Sequence, residues 1–152
     1  MPYPDLANSK AGWEPRVSAK INKLPSFVTH FLAILAGAVG VTSFAPFHFW
    51  PGYFISLIAF GVLVISSTTA KSACWRGFFV ALGFFGAGVS WVYVSIAEYG
   101  QVGAFIAGLI TFAFVAVLCA FWALSAWASW RLIKRFPNLS ASMWITLCFL
   151  LG

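Results

Sequence analysis

Residues 102–130 read VGAFIAGLITFAFVAVLCAFWALSAWASW, a stretch without a charged side chain that ends directly before Arg131. A helix of this length measures roughly 43 Å at ~1.5 Å per residue, which exceeds the ~30 Å hydrocarbon core of a bilayer. Its apolar residues leave no face for water, so the helix must meet lipid or other helices on every side. The stretch predicts a transmembrane helix that tilts or projects beyond the membrane.

The composition of the whole chain agrees with this prediction. Of its 152 residues, 62% are hydrophobic and 8% are charged, whereas soluble domains carry about 25% charged residues. The net charge of +6 comes from basic residues at the ends of apolar runs and not from one patch. We therefore expect contact with anionic membrane surfaces and no nucleic-acid binding.

Three further apolar runs precede residues 102–130 in the chain. They lie at residues 27–45, 52–69 and 77–97, which makes residues 102–130 the fourth run, and a shorter fifth run follows at 141–152. The last is too short to cross a bilayer and meets the end of the chain. The sequence thus predicts an all-α, polytopic transmembrane bundle with four complete spans and a truncated fifth. Residues 1–26, rich in proline and lysine, are expected to form a polar tail, and the chain to be an N-terminal fragment.

The nine lysines and arginines predict the orientation of the bundle. Four lie in the N-terminal tail, two in the second connection and three in the fourth, while the first and third connections have none. Short loops with lysine and arginine stay in the cytoplasm. The N-terminus is therefore predicted to be cytoplasmic. Trp122, Trp127 and Trp130, near the inner end of the fourth run, are interpreted as interfacial anchors.

Glycine and other small residues recur in the first and third runs. Such residues let the backbones of membrane helices approach closely. They are predicted to form helix-contact surfaces at the following positions: Ala33, Gly37, Gly40, Gly83, Gly86, Gly88 and Ser90.

Residue chemistry alone predicts no catalytic site, metal site or cofactor. His30 and His48 have no second ligand at useful spacing, and Cys74, Cys119 and Cys148 form no CxxC pair. Cys119 and Cys148 are interpreted as buried apolar residues and Cys74 as an exposed thiol.

Two stretches carry more specific information: residues 43–51 (SFAPFHFWP) and residues 83–100 (GFFGAGVSWVYVSIAEYG). They closely resemble the N-terminal part of bacterial apolipoprotein N-acyltransferases, and the resemblance covers roughly residues 31–136. It implies an inner-membrane enzyme that moves an acyl chain from a phospholipid to the diacylated N-terminal cysteine of an apolipoprotein. It also implies a nitrilase-like domain with a catalytic glutamate, lysine and cysteine.

No residue of this chain matches those catalytic residues, so the chain alone is expected to be inactive. Trp91, Ser95 and Glu98 are spaced for one face of a helix and form a tentative substrate-binding stripe, with helix packing as the alternative. Two other functions stay open. One is a small four-span membrane transporter, which would need a carboxylate deep in a span, and the other is a non-enzymatic membrane scaffold.

Overall fold

The computed structural model describes residues 19–44, 48–100 and 103–135, which contain α-helices and no β-strand. Five of these helices have ten or more residues: α1 Ser26–Val41, α2 Pro51–Ile65, α3 Ala70–Gly88, α4 Ser90–Tyr99 and α5 Ala104–Arg135. The all-α prediction is confirmed for this part of the chain. The predicted tail up to residue 18 and the truncated fifth run at 141–152 lie outside the described residues.

Local sequence explains where several of these helices begin and end. Pro51 occupies the first turn of α2, where its fixed φ suits a helix and its missing N–H costs nothing. The Thr69 side chain caps α3 by accepting a hydrogen bond of 3.1 Å from the Ser72 backbone N–H. Lys134 and Arg135 lie in the last turn of α5, where their positive charges interact favourably with the negative end of the helix dipole.

Helix α3 lies at the centre of the bundle and packs against α1, α2 and α5. The buried core around it consists mainly of small and medium side chains, including Ala33, Val64, Val80 and Cys119, each fully buried. Phe60 is the largest fully buried side chain. Burial of Cys119 confirms its interpretation as an apolar core residue, whereas Cys74 is half-buried and not fully exposed. Cys148 lies outside the described residues.

Glycine brings the backbones of α1 and α3 into direct contact. A Cβ atom added at Gly37 would overlap the Val80 carbonyl oxygen, and one at Gly83 would overlap the Ile34 carbonyl oxygen. The predicted helix-contact surface is therefore confirmed at Gly37 and Gly83. It is wrong at Gly86, where an added Cβ would meet nothing within 4 Å.

The third apolar run is divided into two helices. Helix α3 ends at Gly88, α4 begins at Ser90, and their axes differ by 47° across this break. The Val89 backbone N–H still donates to the Phe85 carbonyl oxygen at 2.9 Å, so the chain bends without losing the last hydrogen bond of α3. The residues of α4 are thereby directed onto α5.

Helix length tests the prediction of four complete spans. Among the described helices, α5 is long and apolar enough to cross a membrane, and α3 with α4 also qualifies if the bent pair counts as one span. Helices α1 and α2 are apolar but have 16 and 15 residues, or roughly 24 and 22 Å at ~1.5 Å per residue. Helix length therefore supports one or two spans, and the predicted four are not confirmed.

The contact between α1 and α3 predicts opposite outcomes for two glycines of the same helix. Gly83→Ala should destabilise the protein by about 1–3 kcal/mol, because its methyl group forces two backbones apart. Gly86→Ala should leave stability unchanged or raise it slightly, since alanine favours helix and the site is open. Thermal unfolding in a mild detergent measures both variants. Equal melting temperatures for the two would contradict the backbone contact.

Candidate functional site

A cavity of about 540 Å³ is bounded by α2, α3 and α5 and by the residues that directly follow α1. Its lining is dominated by aromatic rings and includes a single hydroxyl-bearing aliphatic residue. We call it the aromatic cavity; it is lined by Ser43, Phe44, Trp50, Tyr53, Phe54, Phe84, Phe85 and Trp122. A pocket of this size and character suits an apolar ligand.

Phe84 contacts several of the other rings of the aromatic cavity. Its ring centroid lies 6.2 Å from Trp122 in a stacked arrangement, 6.0 Å from Phe44 and 6.4 Å from Tyr53. Aromatic pairs of this kind contribute about 0.5–1.5 kcal/mol beyond their buried area. The wall of the cavity is therefore a connected set of rings and not a group of independent side chains.

Helix α1 makes room for the Phe84 ring by placing a glycine opposite it. A Cβ atom at Gly40 would come within 2.8 Å of the Phe84 Cδ2 atom. Phe85 follows directly on α3 and also contacts Trp122, with ring centroids 6.2 Å apart at 82°. The small residue on α1 and the two adjacent rings on α3 together explain why the cavity forms here.

The turn between α1 and α2 holds the mouth of the cavity. The Phe49 N–H donates to the Thr42 carbonyl oxygen at 2.9 Å, and the Gly52 N–H donates to the Phe49 carbonyl oxygen at 3.0 Å. His48 has a φ of 51°, in the left-handed region that few side chains adopt. A Cβ atom at Gly52 would overlap the Thr42 hydroxyl oxygen. The strained, close-packed turn positions Trp50 against the cavity.

The predicted substrate-binding stripe lies elsewhere, on α4. Ser95 is half-buried and Glu98 is exposed; neither lines the aromatic cavity. The side chain of Trp91 lies outside the described residues. No ion pair joins Glu98 to another residue within the described stretches. The structure thus keeps Ser95 and Glu98 near one another on a helix but does not bring them to the aromatic cavity, and their role stays a prediction.

Sequence reasoning misplaced Trp122. It was expected at the membrane interface, but it is only 7% exposed and its ring contacts Phe60 at a centroid distance of 5.1 Å. The signal was present in its neighbours. Cys119 and Ala126, three residues before and four after it, lie on the same helical face and are small, so they leave space for a buried ring.

The other two tryptophans at this end of α5 behave differently. Trp127 is 41% exposed, and the Arg131 guanidinium lies 5.0 Å from its ring centroid. The Trp130 indole N–H donates to the Ser67 carbonyl oxygen at 2.9 Å. Such amphipathic placements fit the expected interfacial anchoring better than the burial of Trp122 does.

The alternative of a transporter finds no support in residues 19–44, 48–100 and 103–135. Their single carboxylate, Glu98, is exposed at the end of α4 and not deep in a helix. Across the same residues, no three His, Cys, Asp or Glu side chains lie close enough to hold a metal ion. The aromatic cavity is thus the described feature best suited to a ligand.

Comparison with known proteins gives one consistent result. Residues 36–152 match the family described as "Apolipoprotein N-acyltransferase N-terminal domain". The chain is 41% identical over 111 residues to the apolipoprotein N-acyltransferase of Pseudomonas aeruginosa strain LESB58, covering 73% of this chain and 22% of that protein. It is 36% identical over 115 residues to the enzyme of the same name from Pasteurella multocida, covering 76% and 21%. The chain spans about a fifth of the length of these relatives.

Proposed function

The chain belongs to the apolipoprotein N-acyltransferase family through that family's N-terminal domain, and from this premise we propose that it is the membrane-embedded N-terminal part of such an enzyme. The proposed reaction transfers an acyl chain from a phospholipid to the N-terminal amino group of a diacylated apolipoprotein. In the proposal, the chain supplies the lipid-facing part of the enzyme and no catalytic residue, so that alone it is inactive.

The observation that carries this proposal is the aromatic cavity. Its aromatic lining can receive a hydrocarbon chain but offers few partners to a polar one. We propose that it accommodates an acyl chain of the phospholipid donor. Phe84 and Phe85 would form its rigid wall, because both pack against Trp122.

The outer surface of the helices supports placement in a membrane. Helix α5 exposes large apolar side chains along its length, a surface that a soluble protein rarely leaves uncovered. They are Phe105, Ile106, Leu109, Ile110, Phe112, Phe114, Val117, Phe121 and Leu124. We propose four spans, with α1 and α2 reaching the interfaces through the neighbouring residues of their apolar runs, in the bacterial inner membrane.

The proposed orientation rests on where the basic residues lie. Arg76 contacts Asn22 in the segment before α1, and Trp130 near the end of α5 contacts Ser67 before α3. These contacts bring the basic residues of three segments to one end of the bundle. They are Lys20, Lys23, Lys71, Arg76, Arg131, Lys134 and Arg135. This end would be cytoplasmic, with the N-terminus on the same side.

Glu98 and the stripe it belongs to would serve the opposite end. Its exposed carboxylate is available to attract the free amino group of the apolipoprotein cysteine. Ser95 and Trp91 precede it on α4 at helical spacing, so they would extend the same recognition surface toward the bilayer.

A chimera tests the proposed function. If this chain replaces the matching N-terminal region of the Pseudomonas aeruginosa relative, the chimera should convert a diacylated lipopeptide into its triacylated form, as measured by mass spectrometry. The 152-residue chain alone should give no product.

Ser43→Phe, which fills the aromatic cavity, should raise the apparent KM for phospholipid several-fold, because a ring then occupies the acyl-chain space.

The matched control is Ala113→Phe, which adds the same ring at an exposed position of α5. It should leave the KM for phospholipid unchanged. A chimera of normal abundance and melting temperature that yields no product would refute the proposed function. Equal effects of the two variants would refute the role of the aromatic cavity.

Glu98→Gln in the chimera tests the recognition surface. The apparent KM for the lipopeptide should rise roughly three- to tenfold with little change in kcat, because a charge-assisted contact with the substrate is lost. Trp91→Ala should act in the same direction. Unchanged kinetics with a lower melting temperature would instead assign these residues to helix packing.

Thiol labelling tests the orientation. In a chain whose three native cysteines are replaced, Lys71→Cys should react with a membrane-impermeant reagent only after the inner membrane is opened. Tyr99→Cys should react when the outer membrane alone is permeable, since Tyr99 lies at the opposite end and is 83% exposed. The reverse pattern would overturn the cytoplasmic N-terminus.

A further inference from the structure

A second cavity, of about 210 Å³, lies at the basic end of the bundle. Unlike the aromatic cavity, it is lined mainly by hydroxyl, amide, imidazole and guanidinium groups. We call it the Arg76 cavity; it is lined by Asn22, Leu24, Ser26, Thr29, His30, Thr68, Ser72 and Arg76. It belongs neither to the aromatic cavity nor to the stripe on α4.

Arg76 brings a buried positive charge to this cavity. Its side chain is only 7% exposed. One terminal nitrogen donates to the Leu63 carbonyl oxygen at 3.1 Å, and the other donates to the Asn22 side-chain oxygen at 3.0 Å. Both acceptors are neutral, and a guanidinium carries five N–H donors. The hydrogen bonds therefore orient the group without neutralising its charge.

No carboxylate in the described stretches lies near enough to compensate this charge. The only one there, Glu98, follows Arg76 by 22 residues along α3 and α4, which separates them by roughly 30 Å at ~1.5 Å per residue. A buried, unpaired cation is costly, because it loses water without gaining an opposite charge. The cavity beside Arg76 is thus electrostatically suited to an anion.

The groups around Arg76 add to this preference. Ser26 and Ser72 lie in the first turns of α1 and α3, whose positive dipole ends both face this region. Helix α1 has no side-chain cap, so no capping side chain accepts hydrogen bonds from its first backbone N–H groups. Thr29 is 4% exposed, and its hydroxyl donates to the Pro25 carbonyl oxygen at 3.4 Å, which ties the start of α1 beside the cavity. Hydroxyls, backbone N–H groups and a guanidinium are the donors that phosphate oxygens accept from.

The apolar surface beside the cavity indicates what carries the anion. Phe27 is 80% exposed and Trp75 is 48% exposed, and each is adjacent in sequence to a residue of the cavity. Trp75 also stacks on Phe79, with ring centroids 5.8 Å apart at 27°. A free phosphate would use none of this surface. A lipid would place its phosphate at Arg76 and its hydrocarbon chains along these rings.

We propose that the Arg76 cavity binds the phosphate of an anionic phospholipid from the cytoplasmic leaflet, as a site separate from the acyl donor. The proposal rests on the membrane placement proposed above. Its test measures lipid binding and not acyl transfer, so either proposal can fail without the other. The bound lipid would neutralise Arg76 and join the segment before α1 to the start of α3.

The experiment measures thermal unfolding of the 152-residue chain in a neutral detergent with added phosphatidylglycerol, diacylglycerol or inorganic phosphate. Phosphatidylglycerol should raise the melting temperature, and diacylglycerol, which lacks the phosphate, should not. Arg76→Gln should weaken phosphatidylglycerol binding about tenfold or more, as expected for loss of a charged hydrogen-bond donor. Lys71→Gln, which removes an exposed charge nearby, should leave binding within about twofold of the wild type.

Circular dichroism checks that each variant is folded. If Arg76→Gln does not fold, Ser72→Ala replaces it, because this change removes one cavity hydroxyl from the first turn of α3 and should still weaken binding. Equal shifts with inorganic phosphate and phosphatidylglycerol would overturn the lipid assignment. Equal losses in Arg76→Gln and Lys71→Gln would overturn the site.

One further variant distinguishes a lipid from the chain's own N-terminal arm. Asp5→Asn with Glu14→Gln removes the two carboxylates that precede residue 19. Binding of phosphatidylglycerol should be the same with and without these changes. Binding that occurs only in the double variant would mean that the carboxylates of the N-terminal arm neutralise Arg76, and it would overturn the proposal.

Discussion

The backbone contact between α1 and α3 is the constraint on which the rest of the described bundle depends. Gly37 and Gly83 allow each helix to touch a carbonyl oxygen of the other, which no residue with a Cβ atom would permit. On the proposed membrane placement these helices are surrounded by lipid, where the hydrophobic effect contributes little and association relies on close van der Waals packing. The two glycines would then stabilise the helix pair, because their lack of a side chain lets the backbones pack closely.

Both cavities follow from this contact. Where the backbones of α1 and α3 touch, no cavity separates the two helices. The aromatic cavity and the Arg76 cavity lie beyond opposite ends of this contact. Toward one end, α3 presents Phe84 and Phe85 to the aromatic cavity; toward the other, it presents Arg76 to the Arg76 cavity. Along its length, α3 thus offers first a cationic side chain, then a backbone contact with α1, and then aromatic rings.

The sequence predicted the features that depend on composition and local spacing. Long apolar runs indicated helices, and small residues indicated the contact at Gly37 and Gly83. It did not predict features that depend on which residues meet across the fold. Trp122 was assigned to an interface because tryptophan often lies there, but its three-dimensional neighbours bury it. Arg76 was treated as the charge that ends an apolar run, whereas the carbonyl of Leu63 and the amide of Asn22 draw it inward. The break at Val89 likewise accompanies the packing of α4 on α5, and no proline near it in the sequence indicates a break.

The contact at Gly37 and Gly83 also has a consequence for heat capacity. In a soluble protein, unfolding exposes apolar surface to water, and its hydration gives a large positive heat-capacity change and a curved stability profile. On the proposed membrane placement, parting α1 from α3 exposes glycine backbone to hydrocarbon and not to water. The separation then has almost no heat-capacity term, so its free energy varies nearly linearly with temperature. Cooling would strengthen this helix pair steadily, without the cold-side loss of stability that soluble cores undergo.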